Sequence, residues 1–388
     1  MAHTKEFRTK TLLEARKNPH VEGYWEIAID IGYSGTKIFA PNKIAIFPSF
    51  ATPLEGKRIE LLDDAASEDI LYRDMNGKVW QVGRSAQNAM SAKDSNASSM
   101  SIYGRERYFS PMYKVMLETA LGIAMKSNEL GDSTMCTPVI QTGLPNAYLK
   151  SDKKYVVDVF SGQHKFWLKV GNSDWEKFEL SINPQDVKVI SQPMGTLLSV
   201  TTNNDGTPSQ NQAELMNCQS LLVDPGFGTM DCFAFENKTM KGIETFDNLG
   251  MKRVMQEASA KILKEFDTEI PVPAMQKYLE TGIVTSFNRA ERKGVQHDIT
   301  EIVNNASKKV AKEAIDKIYD IYSVEEYDYL VLTGGTGEAW VDEFKEGFAG
   351  LPSLSIIMGN NNDPNLSCVF ANVRGYYLYL YLLLKNSK

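Results

Sequence analysis

The sequence predicts an α/β protein built from two similar halves. Three observations predict it. "YWEIAIDIGYSGTKIFA" and "SLLVDPGFGTMDCFAF" share one plan: apolar strand, Asp-x-Gly turn, second strand. Helical spacing is clearest in "EIVNNASKKVAKEAIDKIYDIY", where Ile302, Ala306, Val310, Ala314 and Ile318 step by four. Between the halves lies "TTNNDGTPSQNQ", a polar stretch that reads as a boundary. The likeness of the halves is an approximate internal duplication, not a solenoid repeat.

The first 24 residues read as a polar, partly helical leader, and the fold begins near Trp25. "YWEIAIDI" is a strand, "GYSG" a turn, and "TKIFA" and "KIAIFPS" further strands. From about Pro53 to Ser101 the chain is polar and mixed, with short strands such as "KVWQVG" and a surface loop at "DSNASSMS". "PMYKVMLETALGIAM" has helical spacing through Met112, Val115, Met116, Ala120 and Ile123. "TPVIQTGLP" is a strand that ends in a turn at Gly143 and Pro145, and "KYVVDVF", "HKFWLKV" and "DVKVIS" read as strands. In the second half a long helical region follows Met251. "YDYLVLTGGTGEAW" is strand, glycine turn and helix, "LSIIMG" a last strand, and "LSCVFANVRGYYLYLYLLL" a last helix. The predicted division is a leader over 1–24, one domain over 25–200 plus 355–388, and a second over 201–354.

Composition narrows the function. With 388 residues, 43% hydrophobic and 23% charged, the chain has ample material for real cores. A net charge of −7, with no dominant block of Lys and Arg, argues against direct, tight nucleic-acid binding. Cys136, Cys218, Cys232 and Cys368 are scattered without a CxxC pair, and the four histidines are dispersed, so no zinc site is indicated. Reduced thiols in a cytoplasmic protein are the plain reading. No apolar run reaches membrane-spanning length, and the N-terminus lacks the apolar core of a secretory signal.

Asp30 and Asp224 carry the strongest chemical signal. "DIGYSG" and "DPGFG" both place a carboxylate at a strand end and glycines in the turn after it. Glycines let a phosphate approach exposed backbone N–H groups. A strand-end carboxylate can hold Mg²⁺ through its waters. Either motif alone reads as an ordinary Asp/Gly hairpin turn; the pair in matching contexts favours phosphate and metal. In "LVLTGGTGEAW", Gly334 and Gly335 leave bare backbone against which a ligand ring can lie. The bland alternative is an ordinary strand-to-helix connection. A Walker P-loop is excluded because no Gly-Lys-Ser/Thr follows, and "DIGYSGTKIFA" continues as a strand, unlike a dinucleotide fingerprint. In "VKVISQPMGT", Gln192 follows a strand and precedes a helix start. Glutamine is no general base, but it can orient an attacking water. By itself it reads as a polar turn residue.

In this order the motifs resemble those of the actin superfamily of ATPases, and most closely the plasmid-segregation actins of the ParM type. Phosphate-1 matches "DIGYSGTK", connect-1 "VKVISQPMG", phosphate-2 "DPGFGTMD", the adenosine motif "LTGGTGE" and connect-2 "FANVRGYYLYL". "TGLP" and "FDNLG" also look like turns of the ParM family. The resemblance spans about Trp25 to Leu384. It departs from the ParM pattern at Gln192, where that type usually carries Glu and actin carries Gln. Tyr33 stands where many members have a smaller or amide residue.

The resemblance implies the actin-like, duplicated ribonuclease H-like fold: two α/β domains around a nucleotide cleft. It implies ATP with Mg²⁺, GTP staying open. Asp30 and Asp224 would hold the metal through water. Gly32, Tyr33, Ser34 and Gly35, and Gly226, Phe227, Gly228 and Thr229, would cradle phosphates. Lys37 would reach a phosphate, and Gln192 would position water. Gly334, Gly335, Thr336 and Glu338 would lie beside the nucleoside, with Gly250 and Lys252 near ribose or base. The implied function is ATP hydrolysis coupled to filament formation. The implied partners are further copies of the chain and a DNA-binding adaptor on centromere-like plasmid DNA, with no direct nucleic acid and no membrane. Two other readings stay open. A small-molecule kinase of the same superfamily would need a carboxylate base, for which Asp186 is the nearest candidate. A non-catalytic ATP-binding scaffold would need none. A chaperone-type ATPase would carry a substrate-binding domain after the last helix.

Overall fold

The structure is a computed structural model, and it describes residues 3–54, 69–89, 105–288 and 291–387. The chain divides into two compact units. One comprises Thr9–Met90, Asn96–Thr207 and Asn372–Lys388; the other Met1–Arg8, Ser91–Ser95 and Pro208–Ala371.

The unit that starts at Thr9 is built on a six-stranded sheet. Its order is Leu12–Ala15, Lys43–Pro48, Gly35–Ala40, Tyr24–Ile31, Thr137–Leu144 and Val187–Ser191. Tyr24–Ile31 pairs antiparallel with Gly35–Ala40 and parallel with Thr137–Leu144. This central strand is buried from Trp25 to Ile31, which is why it reads as a near-continuous apolar run rather than an alternation. The helix Pro111–Met125 buries Met112, Val115, Met116, Ala120 and Ile123, as the sequence spacing predicts. Pro111 begins the helix, and the Ser110 hydroxyl accepts from the Tyr113 N–H at 3.1 Å. At its other end the Lys43 amine donates to the carbonyls of Ile123 and Lys126. Burial pulls the Lys43 pKa down to about 8. A five-stranded sheet containing Gly162–Val170 and Glu176–Ile182 completes the unit.

The other unit repeats the central arrangement. Its five strands run Thr239–Asp247, Thr229–Glu236, Ser220–Pro225, Tyr329–Leu332 and Ser355–Met358. Ser220–Pro225 again has an antiparallel hairpin partner on one side and a parallel strand on the other. The helix Thr300–Ile321 buries Ala306, Val310, Ala314 and Ile318, with Ile302 packed at the edge of the same core.

Three expectations change. "KYVVDVF" is the C-terminal part of a helix, Asn146–Phe160. Its valines favour a strand by propensity, but Asp152, Val156 and Phe160 step by four into the core, and tertiary burial decides. The first residues are not a detached leader. Leu12–Ala15 forms the outer strand against Lys43–Pro48, whereas Thr4–Phe7 packs with the other unit: Phe7 enters its core, the Thr4 hydroxyl donates to the Leu279 carbonyl at 2.9 Å, and Arg8 pairs with Glu280. All four side chains of Leu12–Ala15 are exposed, so no alternation announces the strand. Finally, the last strand pairs Leu330 with Ile356 in the second sheet. The division therefore falls after Ala371 and, earlier in the chain, after Thr207 within the polar boundary stretch. The loop at "DSNASSMS" lies outside the described residues.

Candidate functional site

In the first hairpin Asp30 stands directly opposite Lys37. The Lys37 amine donates to Asp30 Oδ2 at 2.8 Å, and Asp30 is buried. The Gly32 N–H closes the turn on the Gly35 carbonyl at 3.1 Å, and the Ser34 carbonyl accepts from the Ser49 N–H at 3.0 Å. Tyr33 lies beneath Arg107, whose guanidinium carbon is 4.7 Å from the ring centroid.

The second hairpin has the same form. Asp224 stands opposite Asp231, and the Gly226 N–H closes the turn on the Thr229 carbonyl at 2.8 Å. The start of the helix Met251–Phe266 docks on this turn: the Met251 N–H reaches the Gly226 carbonyl at 3.2 Å and the Lys252 N–H the Phe227 carbonyl at 2.7 Å. Gly250 is required there, because a Cβ would lie 2.6 Å from the Gly226 oxygen and 2.8 Å from the Phe227 oxygen. The Asn248 N–H binds the Gly228 carbonyl at 3.1 Å. The Thr336 hydroxyl donates to the Gly226 carbonyl at 2.9 Å. Gly334 has φ +76°, and a Cβ on it would stand 2.6 Å from Asp224 Oδ1; both facts select glycine. Gly335 lies against Val369, and Glu338 accepts from the Ser367 hydroxyl at 2.6 Å. Asp224, the Gly226–Thr229 turn, the Gly250–Lys252 helix start and the Gly334–Thr336 turn thus converge within one unit.

Gln192 begins the helix Gln192–Thr201, directly after the strand Val187–Ser191. That strand lies two places from Tyr24–Ile31, so Gln192 is roughly 10 Å across the sheet from the Asp30 strand. Both residues are at the carboxyl ends of parallel-paired strands, where open α/β sheets bind ligands. The last helix, Ala371–Asn386, holds Gln192's helix in place. Asn372 accepts from the Thr196 hydroxyl at 2.6 Å, and the buried Arg374 donates to the carbonyls of Ser199 at 2.6 Å and Thr202 at 3.0 Å. Those carbonyls are the acceptor-rich end of the helix. Asp186 precedes the same strand and accepts from the Asn183 amide at 2.9 Å. It therefore sits at the opposite strand end, on the order of 20 Å from Gln192.

Residues 28–195 match the family model for the N-terminal domain of actin-like proteins. The fold is actin-like. The structure is similar to that of a 15-stranded ParM filament from Clostridium botulinum, with TM-score 0.69 and 20% identity over 93% of this chain and 99% of that one. It is similar to the apo psk41 ParM protein, with TM-score 0.63 and 17% identity over 94% and 99% of the two chains. An archaeal actin homologue in complex with ADP gives TM-score 0.60 and 18% identity over 92% and 99%. A sequence comparison with curated proteins found no match.

Two residues of this actin-like chain escaped the sequence reading. Asp231 is the register partner of Asp224 and accepts from the hydroxyls of Thr245 at 2.6 Å and Thr229 at 3.4 Å. Burial raises its pKa; the two threonines pull it down, and Asp247 adds to the rise. Its signal was the offset of seven from the strand-end carboxylate, shared by Lys37 in the first hairpin. Arg107 had no signal at all. Among the described residues no cluster of three or more His, Cys, Asp or Glu could hold a metal. Asp224, a single strand-end carboxylate beside the Gly226–Thr229 turn, fits a Mg²⁺ bound mainly by water. No helix among the described residues is long and apolar enough to cross a membrane.

Proposed function

We propose that this chain is a filament-forming, actin-like ATPase. The observation that carries the proposal is the repeated hairpin: each unit holds an aspartate at the same strand-end position, before a turn closed by the same hydrogen bond. The named neighbours support it, since one is a ParM filament and another binds ADP.

In this reading the turn amides of Gly32–Gly35 and Gly226–Thr229 bind the phosphates of ATP. Asp30 and Asp224 would hold Mg²⁺ through its waters, and the ion would supply charge neutralisation when bound. Asp30 is ion-paired with Lys37, which partly neutralises its carboxylate within its own hairpin. Gln192 orients the water that attacks the γ-phosphorus as the bond to the β–γ bridging oxygen breaks, leaving ADP and inorganic phosphate. Its amide accepts no proton, so catalysis rests on orientation and charge. Gly334, Gly335, Thr336 and Glu338 lie beside the nucleoside, with Gly250 and Lys252 behind it; GTP is the competing nucleotide. Head-to-tail contacts that do not close a ring produce an open polymer. The biological role proposed is movement of plasmid DNA in the cytoplasm through a DNA-binding adaptor. The position of Asp186, far from the carboxyl strand ends, weighs against the kinase alternative.

Light scattering and pelleting with ATP, GTP or neither, in Mg²⁺, test the proposal. Polymer that appears with nucleotide and decays as phosphate is released is the expected result. Absence of polymer under every nucleotide condition well above micromolar protein would refute it.

A further inference from the structure

Beside the first turn lies a cation, Arg107, that forms an ion pair with no carboxylate among the described residues. Arg107 belongs to the short 3-10 turn Arg105–Phe109. Its guanidinium carbon lies 4.7 Å from the Tyr33 centroid, 5.2 Å from Tyr108 and 5.9 Å from Tyr113. Among the described residues no Asp or Glu forms an ion pair with it. Burial opposes its charge, yet an arginine guanidinium stays protonated at any ordinary pH.

Aromatic rings orient a guanidinium but do not cancel its charge. At the same turn Lys37 is matched by Asp30. Counting these three residues, the turn keeps one positive charge, and that charge is Arg107's. A partly buried cation without a counter-ion is expensive to maintain. Its nearest ring is Tyr33, the one aromatic residue of the Gly32–Gly35 turn, and a small residue there would remove the contact that ties Arg107 to the turn.

We infer that Arg107 is a binding residue for the polyphosphate of the nucleotide, held beside the Gly32–Gly35 turn by the face of Tyr33. The inference rests on the nucleotide-binding reading above. The guanidinium fork suits two phosphate oxygens at once, which a lysine amine does not. Tyr33 thereby gains a physical role: it orients the cation while its backbone stays in the turn.

The test compares binding of ATP, ADP and adenosine, in Mg²⁺, to the wild-type chain and to R107Q, R107K, Y33F and Y33L. R107Q should weaken ATP and ADP by about tenfold or more and leave adenosine unchanged. R107K should recover part of the loss. Y33F, which keeps the ring, should retain more ATP affinity than Y33L. The salt dependence of ATP binding should be shallower in R107Q. An ATP affinity for R107Q within about twofold of wild type overturns the inference, as does an equal loss for adenosine, which would mark a structural role. Adenosine binding also reports whether each variant is folded. If R107Q alone behaves as wild type, only the Arg107 inference falls. If the wild-type chain binds no nucleotide, the functional reading falls and takes this one with it.

Discussion

The two hairpins share a backbone and differ in charge. Seven residues after the strand-end aspartate, the first carries Lys37 and the second Asp231. Both partners lie directly across the ladder, where side chains on one face meet. The first hairpin therefore neutralises its own carboxylate, and Arg107 tips it positive. The second places Asp231 at that register position, where burial raises its pKa and Asp247 adds to the rise. The same backbone plan thus carries an Asp–Lys register pair in one unit and an Asp–Asp register pair in the other.

The largest expected effect tests this division directly. D224A should lower Mg²⁺-dependent ATP turnover by about a hundredfold or more, and D30A by clearly less. Phosphate release measured across a Mg²⁺ titration checks it; equal shifts in the two variants would erase the distinction between the hairpins. Next comes Gln192, for which a water-orienting role is proposed. Q192A should reduce turnover by roughly ten- to hundredfold while ATP affinity stays near wild type. A matching loss of affinity would show that Gln192 binds nucleotide instead.

The turns also differ in what they tolerate. At Gly250 an added methyl meets the backbone of Gly226 and Phe227, which cannot yield without moving the turn. G250A should cost about 1–3 kcal/mol by thermal or denaturant unfolding. At Gly32 the added methyl would sit 3.1 Å from the Gly35 oxygen and 3.2 Å from the Lys37 amine. The flexible lysine can withdraw, so G32A should be the milder change. Equal destabilisation would contradict the rigid-versus-yielding contrast.

The smallest effect is in pH dependence. Asp231 has a folded-state pKa above its unfolded value, so its ionised form is a net cost to stability at neutral pH. That cost disappears as pH falls through the folded pKa and both states become protonated. D231N, neutral throughout, should be more stable than wild type near neutrality and lose that advantage on acidification. Melting temperatures from pH 7 downward would show it. A constant difference would mean that the Asp231 charge is not what separates them.

Elements with a strong local pattern were legible in the sequence. The run from Trp25 to Ile31 is apolar because it is covered on both faces. The helix Thr300–Ile321 shows its stripe because one face alone enters the core. Asp30 and Asp224 stood out because a carboxylate interrupts an apolar strand just before glycine. "KYVVDVF" was misread because its local preference and its tertiary packing disagree. Tyr33 could be seen but not explained, since its partner lies 74 positions along the chain.

By itself the sequence determined the doubled strand–Asp–turn–strand plan, the main helices and the order of the motifs. These depend on periodicity and turn chemistry, which act over a few residues. Only the tertiary structure decided that Leu12–Ala15 joins a sheet, that Ser355–Met358 belongs to the second one, that Asp186 lies at the wrong strand end, and that Arg107 rests on Tyr33. Each depends on pairing between distant segments. A backbone edge accepts any suitable strand and a guanidinium any suitably placed ring, so the chemistry of the residues leaves the partner open until the chain has folded.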